Sequence, residues 1–368
     1  MNSSNDISRL RQAIDTIDLQ ILDLINQRLL NAKAIGSTKA QNGIGVTDPA
    51  REYELIKKLS ELNKGPLDGN ALHHIFTEII AAGREIQSPQ RVAYLGPEST
   101  FTHIAAINHF GRSVSFNPQP SIQDVFREVE KGSYHFGVVP VENSIEGAVN
   151  HTLDLFYESK LRICAEIYHV ISHDLLSISD SFKDINRVYS HPQAFAQCRR
   201  WLRRNLPDAV LVDCSSTAEA ARKTAEEPGS AAIASGEAAR FYNLKVLSSK
   251  IEDMTRNITR FLVIGNKDIR ATGTDKTSIL LVTTHVPGSL FRALNPIADS
   301  GLNMVKLESR PIKRENWNYM FFLDIEGHLS DPPVKQTLNE MKPLCLYMKI
   351  LGSYPKVDDD AGLSAGAS

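Results

Sequence analysis

Between residues 91 and 264 the chain alternates short apolar runs with helical stretches, and the runs end in polar clusters. The run 91–96 leads through Pro97 to Glu98, Ser99 and Thr100, which offer caps to a helix over 101–110. Phe136 to Val141 runs into Glu142, Asn143 and Ser144, with Gly147 before a helix over 148–156. Val188 to Ser190 enters a single helix over 194–205 by way of His191, Pro192 and Gln193. That helix carries Gln197 and a solvated basic face of Arg199, Arg200, Arg203 and Arg204. Residues 210–214 form a strand before Ser216 and Glu219, which have capping-box spacing. Alternation of this kind builds an α/β region. Ligands collect at the carboxyl ends of its strands, and polar ends grouped together predict a cleft, of the kind that two lobes can form between them.

One further run opens with Asn257, Ile258, Thr259, Arg260 and Phe261 and continues to Ile264. It reads as a buried strand that carries a hydroxyl and a guanidinium. A buried arginine needs an anion. Two readings follow. Either Arg260 meets a substrate carboxylate while Thr259 touches the reacting group, or Thr259 ends a strand and Arg260 pairs with a structural Asp or Glu.

Ahead of this region, Leu10, Ile14, Ile17, Ile21 and Leu24 step by three and four, the stripe of an amphipathic helix. Continuing the stepping turns Arg28 inward. Arg11 lies at the stripe's edge, and Lys39 follows if the helix passes Gly36. A stripe this long needs a partner chain to cover it. Asp48 caps a second helix with Pro49 at its first position. Glu52 faces inward there, beside Arg51. The third helix carries Leu72, Phe76, Ile79, Gly83 and Gln87. Inward cations outnumber Asp48 and Glu52, which leaves room for an anionic ligand.

Residues 277–351 read strand, helix, strand, strand, helix, strand, the ferredoxin-like order. Composition excludes several classes. A net charge of -2 gives no support for nucleic-acid or membrane-surface binding, and no apolar run reaches the roughly 20 residues of a membrane helix. The four cysteines are scattered, as in a reducing cytoplasm, and no metal site is expected. His169 and His173 lie on a strand-like stretch, which argues against a metal pair.

Three resemblances follow from these residues. The pattern Arg11, Arg28, Lys39, Asp48, Arg51, Glu52 and Gln87 resembles the all-helical chorismate mutases. That likeness implies entwined protomers forming a homodimer, Arg11 given by the other chain, and binding of the chorismate dianion by this set. Gly83 stands where that family often has Ser. The set Gly96–Pro97 with Thr100–Phe101, Val139 to Ser144, Ser190 to Gln193, Ser216 to Ala218, and Asn257 to Phe261 resembles prephenate dehydratase. It implies two α/β lobes of the periplasmic-binding-protein kind and a catalytic Thr259. The prephenate contacts it implies come from Thr100, Glu142, Asn143, Ser144, Ser190, Gln197, Thr259, Arg260 and Phe261. Ser99 replaces the usual glycine of its first motif. Pro287, Gly288, Ser289 and Leu290, with Glu308, Ser309, Arg310 and Pro311, resemble the two halves of an ACT-domain site. They imply phenylalanine as an allosteric effector.

The expected organisation is thus a multidomain chain. An all-α mutase occupies 1–88, an α/β dehydratase 90–268 and an α+β ferredoxin-like ACT domain 276–356, with a disordered tail over 357–368. Its expected work is rearrangement of chorismate to prephenate, then loss of carbon dioxide and hydroxide to give phenylpyruvate, without a cofactor. A two-lobed sensor, or a chain keeping one activity, would share the fold; intact Thr259, Arg28 and Lys39 favour both activities.

Overall fold

The computed structural model describes residues 2–42, 48–254, 256–312 and 319–357, with backbone alone for residues 2–5. Three helices open it: α1 (Asn2–Gln41), α2 (Pro49–Leu62) and α3 (Gly69–Gln87). Asp48 caps α2 and Asp68 caps α3, each accepting backbone N–H bonds. Helix α1 passes through Gly36 where it lies against Gln87; a Cβ there would fall 2.6 Å from Gln87 Cγ. Its earlier turns touch little. Ile7, Leu10, Ile14, Ile17, Leu19, Ile21, Leu22 and Leu24 are 48–69% exposed in the lone chain. An apolar stripe left this open is built to meet another surface.

The first lobe follows as β1 (Arg91–Leu95), α4 (Phe101–Phe110), β2 (Ser115–Gln119), α5 (Ile122–Glu130), β3 (Phe136–Asn143), β4 (Gly147–Ala148), α6 (Asn150–Glu158) and β5 (Arg162–Val170). The chain then crosses to a second lobe of β6 (Asp174–Ser177), β7 (Arg187–Ser190), α7 (Pro192–Gln197), α8 (Arg199–Asn205), β8 (Val210–Asp213), α9 (Thr217–Glu226), β9 (Ser230–Ala234), α10 (Gly236–Tyr242) and β10 (Lys245–Ser248). It returns in β11 (Ile258–Gly265), which enters the first sheet antiparallel between β3 and β5. The sheets run β2-β1-β3-β11-β5, with β4 on β3, and β10-β6-β9-β7-β8. Two crossings therefore join two α/β lobes.

The single helix expected over 194–205 is broken at Cys198. Asp253 causes the break. Its N–H binds the Gln197 carbonyl at 2.7 Å, and its carboxylate accepts from Arg200 N at 2.9 Å and Trp201 N at 3.3 Å, starting a new helix. The distant partner wins over local propensity.

The last unit is β12 (Asp275–Val282), α11 (Ser289–Asp299), β13 (Met304–Pro311), β14 (Tyr319–Glu326), α12 (Pro332–Met341) and β15 (Tyr347–Pro355), in sheet order β13-β14-β12-β15. One face of this sheet, with Ile279, Leu281 and Leu323, packs under Ile297 and Leu338 of the two helices. The other face, with Leu280, Phe322 and Tyr354, shares a core with Leu153, Phe156 and Ile163 of the first lobe. Every β12 residue is consequently buried. The stretch 313–318, where the sequence places the start of the third strand of this unit at Trp317, and residues 358–368 of the expected tail lie outside the described residues.

Candidate functional site

A cleft of about 920 Å³ opens between the lobes. Strand β11 brings Thr259 to it, and β3 brings Asn143 alongside, since the two residues pair in register. Asn143 Nδ2 donates to Thr259 Oγ1 at 2.9 Å and to Asn257 Oδ1 at 2.7 Å. Its own carbonyl accepts from Ile145 N and Glu146 N, which fixes the amide's orientation. Asn257 Nδ2 donates to Gln197 Oε1 at 3.0 Å, and His173 Nε2 lies 2.8 Å from that same oxygen. Because the oxygen can only accept, His173 carries its proton on Nε2. Its Nδ1 is a buried lone pair with no hydrogen-bond partner among the described residues. Burial pushes the imidazole down and the Gln197 bond pulls it back up. The file His173–Gln197–Asn257–Asn143–Thr259 spans both lobes. At its end the Thr259 hydroxyl lines the cleft, and since its oxygen accepts from Asn143 its own hydrogen is free to be donated.

Alternation along β11 sends the next residue the other way. Arg260 Nε donates to Glu166 at 2.9 Å, and Nη2 lies 2.8 Å from Asp324 and 3.0 Å from Tyr354 Oη. Lys276 adds a second cation on Glu166 at 2.7 Å. Burial disfavours the Arg260 cation, but Asp324, Tyr354 and Glu166 outweigh it and the guanidinium stays charged. This corrects the expectation that Arg260 meets a substrate carboxylate: the protein's own acids neutralise it, and it faces away from the cleft. Phe261 alternates back and lines the cleft.

The other expected dehydratase residues divide in the same way. Thr100 caps α4 at the cleft wall, and Gln197 lines it. Glu142 faces Lys306 of β13 in an ion pair, not the cleft. Ser144 clamps the start of β11, accepting from Ile258 N and donating to the Arg256 carbonyl. Ser190 is fully buried and donates to the Ile233 carbonyl at 2.8 Å, so it braces the second sheet and does not line the cleft. Asn257 and His173 were missed as site residues. For Asn257 a signal existed, because it lies two residues from Thr259 and so shares its strand face. Ser216, the cap of α9, faces Thr100 from the second lobe, so two helix N-termini look into the same space. At Ser99 φ is +62°, the left-handed region that explains a glycine preference there. A larger hollow of about 1320 Å³ between α3, α4 and α10 contains neither Thr259 nor Asn143, and its Arg112 is taken by Glu237 at 4.0 Å.

In the helical unit, Glu52 is partly buried beside Arg84, with Nη1 3.0 Å from Oε2. Burial pushes its carboxyl up; Arg84 opposes this most strongly, and Lys39 and Arg28 more weakly. Arg28 Nη1 donates to the Ile79 carbonyl at 3.3 Å and lies 3.5 Å from where a Gly83 Cβ would stand. A serine there would thus reach the same spot. Gln87 donates back to the Gly83 carbonyl at 2.9 Å. Asp48 is held by Arg270 at 3.1 Å, and Arg51 is largely exposed, 3.8 Å from Glu54. Arg11 lies 17 residues before Arg28 on one continuous helix, roughly 25 Å away, so the two cannot serve one site within a single chain. Arg84 was missed. It lies four residues after Ile80 on a second buried face of α3, a pattern visible in the sequence.

At the C-terminal unit, Val282 and Arg310 both register with Met320, so the loop holding Pro287 and Gly288 and the end of β13 share one end of the sheet. Gly288 has φ +77°, a conformation only glycine takes without strain. Ser289 Oγ is 2.8 Å from Thr284 Oγ1. Arg310 is turned to Asp154 of α6 at 3.1 Å, and its buried Nε and Nη1 have no hydrogen-bond partner among the described residues.

Comparison with known proteins decides the family. Residues 10–88 match the model for chorismate mutase type II, 92–269 that for prephenate dehydratase and 277–342 that for the ACT domain. A bifunctional chorismate mutase/prephenate dehydratase of Aquifex aeolicus is 45% identical over 95% of this chain and 98% of its own. The chain belongs to the bifunctional chorismate mutase/prephenate dehydratase family. The Escherichia coli K12 relative is 33% identical over 96% of this chain and 97% of its own. Among solved structures, a prephenate dehydratase of Arthrobacter aurescens in complex with L-Phe has TM-score 0.67 at 30% identity, over 75% of this chain and 96% of that one. A quorum-quenching acylase, GqqA, shares the fold at TM-score 0.67 and 27% identity, over 73% of this chain and 98% of that one. The enzyme rearranges chorismate to prephenate and converts prephenate to phenylpyruvate. No helix among the described residues is long and apolar enough to cross a membrane.

Proposed function

We propose that the dehydratase works through Thr259, held by Asn143 so that its hydroxyl hydrogen meets the departing ring hydroxyl of prephenate. The carrying observation is that 2.9 Å bond, which occupies the oxygen and leaves the hydrogen to donate. Aromatisation drives loss of carbon dioxide, so the site needs only to stabilise hydroxide as it leaves, by a hydrogen bond or a water relay. With Arg260 neutralised elsewhere, the prephenate carboxylates go to the N-termini of α4 and α9, which Thr100 and Ser216 cap and where the helix dipole favours anions. Gln197 and Phe261 orient the ring.

In the mutase, Arg28, with Arg11 of a second copy, holds the chorismate carboxylates, Lys39 and Gln87 donate to the ether oxygen, and Glu52 accepts from the ring hydroxyl. The exposed stripe of α1 supports a homodimer. The three units run 1–88, 90–268 and 276–356, and the enzyme is cytoplasmic. Arg28→Ala should lower mutase kcat/KM on the order of 10²-fold and leave dehydratase turnover unchanged; equal loss of both activities would show that the two sites are wrongly divided.

Phenylalanine is the effector, bound at the end of the C-terminal sheet between copies. Dehydratase rate against added phenylalanine tests this. Gly288→Ala, strained at positive φ, should move that inhibition curve to higher concentration, and an unmoved curve would remove the 287–290 loop from the effector site.

A further inference from the structure

We propose that Arg84 is a positioning residue of the mutase, holding the Glu52 carboxylate from a foothold on the dehydratase unit. The proposal rests on reading Glu52 as the acceptor of the ring hydroxyl. The Arg84 side chain is 8% exposed. One arm, Nη1, donates to Glu52 Oε2 at 3.0 Å. The other, Nη2, donates to the carbonyl of Phe110 at 2.6 Å, and the guanidinium lies over the Phe110 ring, 5.7 Å from its centre. Phe110 closes α4, the first helix of the dehydratase. Carbonyls at a helix C-terminus carry partial negative charge and lack partners of their own. This one is therefore a fixed anchor for a cation, supplied from outside the mutase. A planar guanidinium held at both ends cannot swing.

The groups facing Glu52 are few. Arg84 comes from α3, Asp48 from Glu52's own helix end, and Lys39 and Arg28 from α1. Arg28 and Lys39 have a second task, because the substrate dianion takes them. Asp48 is already held by Arg270. Arg84 is then the cation left to Glu52 when chorismate is bound. An ionised Glu52 accepts a hydrogen bond from the ring hydroxyl, whereas a protonated one competes as a donor. Burial raises this carboxyl and Arg84 is the strongest opposing charge. Loss of Arg84 therefore extends protonation upward in pH, and the acidic limb of the mutase profile should follow.

The test uses the full chain. Mutase kcat/KM is measured from pH 5 to 9 for the parent, Arg84→Met, Arg84→Lys and Glu52→Gln, with dehydratase rate as the control for folding. Arg84→Met should move the acidic limb up by about one pH unit, with dehydratase turnover within about twofold, and Arg84→Lys should restore most of the limb. A parent-like limb in Arg84→Met overturns the proposal. Should that variant fail to fold, Arg84→Gln, which can keep a hydrogen bond without the charge, carries the same comparison: a moved limb supports the proposal and an unmoved one overturns it. If the limb persists in Glu52→Gln, it does not belong to Glu52, and the hydroxyl-acceptor reading fails before the role of Arg84 is reached.

Discussion

Thr259→Ala is expected to cut dehydratase turnover by roughly 10³-fold while leaving mutase activity within about twofold. The size follows from removing one preorganised donor at developing charge, which costs ~10²–10³ in rate, together with loss of the oxygen that Asn143 is built to hold. The Asn143 amide would then point a buried N–H at nothing. Thr259→Ser keeps the hydroxyl and should recover a large part of the rate. Steady-state assays of phenylpyruvate and prephenate formation on the same preparation decide the matter. A Thr259→Ala enzyme with unimpaired dehydratase turnover would mean that the hydroxyl assists nothing.

Arg260→Met is expected to act on folding before chemistry. It leaves Glu166 and Asp324 buried with Lys276 alone, and breaking a buried ion pair costs about 3–5 kcal/mol. Asp324→Ala should destabilise by a similar amount although it lies in the C-terminal unit, and the two losses should not add, since both residues belong to one network. Thermal inactivation of the dehydratase reads both. If Arg260 instead held a prephenate carboxylate, Arg260→Met would raise KM at parent-like thermal stability, and Asp324→Ala would do little.

Much of this arrangement is legible in the sequence because local chemistry carries it. Capping at Asp48, Thr100 and Ser216 involves neighbours within a few residues, and each cap is present. The polar ends of β3 and β11 likewise announce a cleft. What the residues do not disclose is which face of a strand buried on both sides looks at the ligand. Thr259 and Arg260 are equally polar on paper, and their roles separate only when the pleat assigns one to the cleft and the other to Asp324. Glu142 and Lys306 meet across 164 residues, a distance at which no periodicity helps. Ser190 has the same difficulty, since a serine bracing the Ile233 carbonyl and a serine awaiting substrate are written identically. The break at Cys198 belongs here too, because Asp253 imposes it from 55 positions downstream.

Strands β3 and β11 are walls common to two rooms. Asn143 and Thr259 furnish one side, while Glu142 and Arg260, their immediate neighbours, are fastened to the sheet beyond. Cutting the polypeptide after Lys267 would strip that sheet away, exposing Phe156 and Ile163 and stranding a buried arginine and glutamate at a new surface. Although the three parts read in order like separable beads, the last two behave as one indivisible piece, and any attempt to transplant the dehydratase must carry its neighbour along.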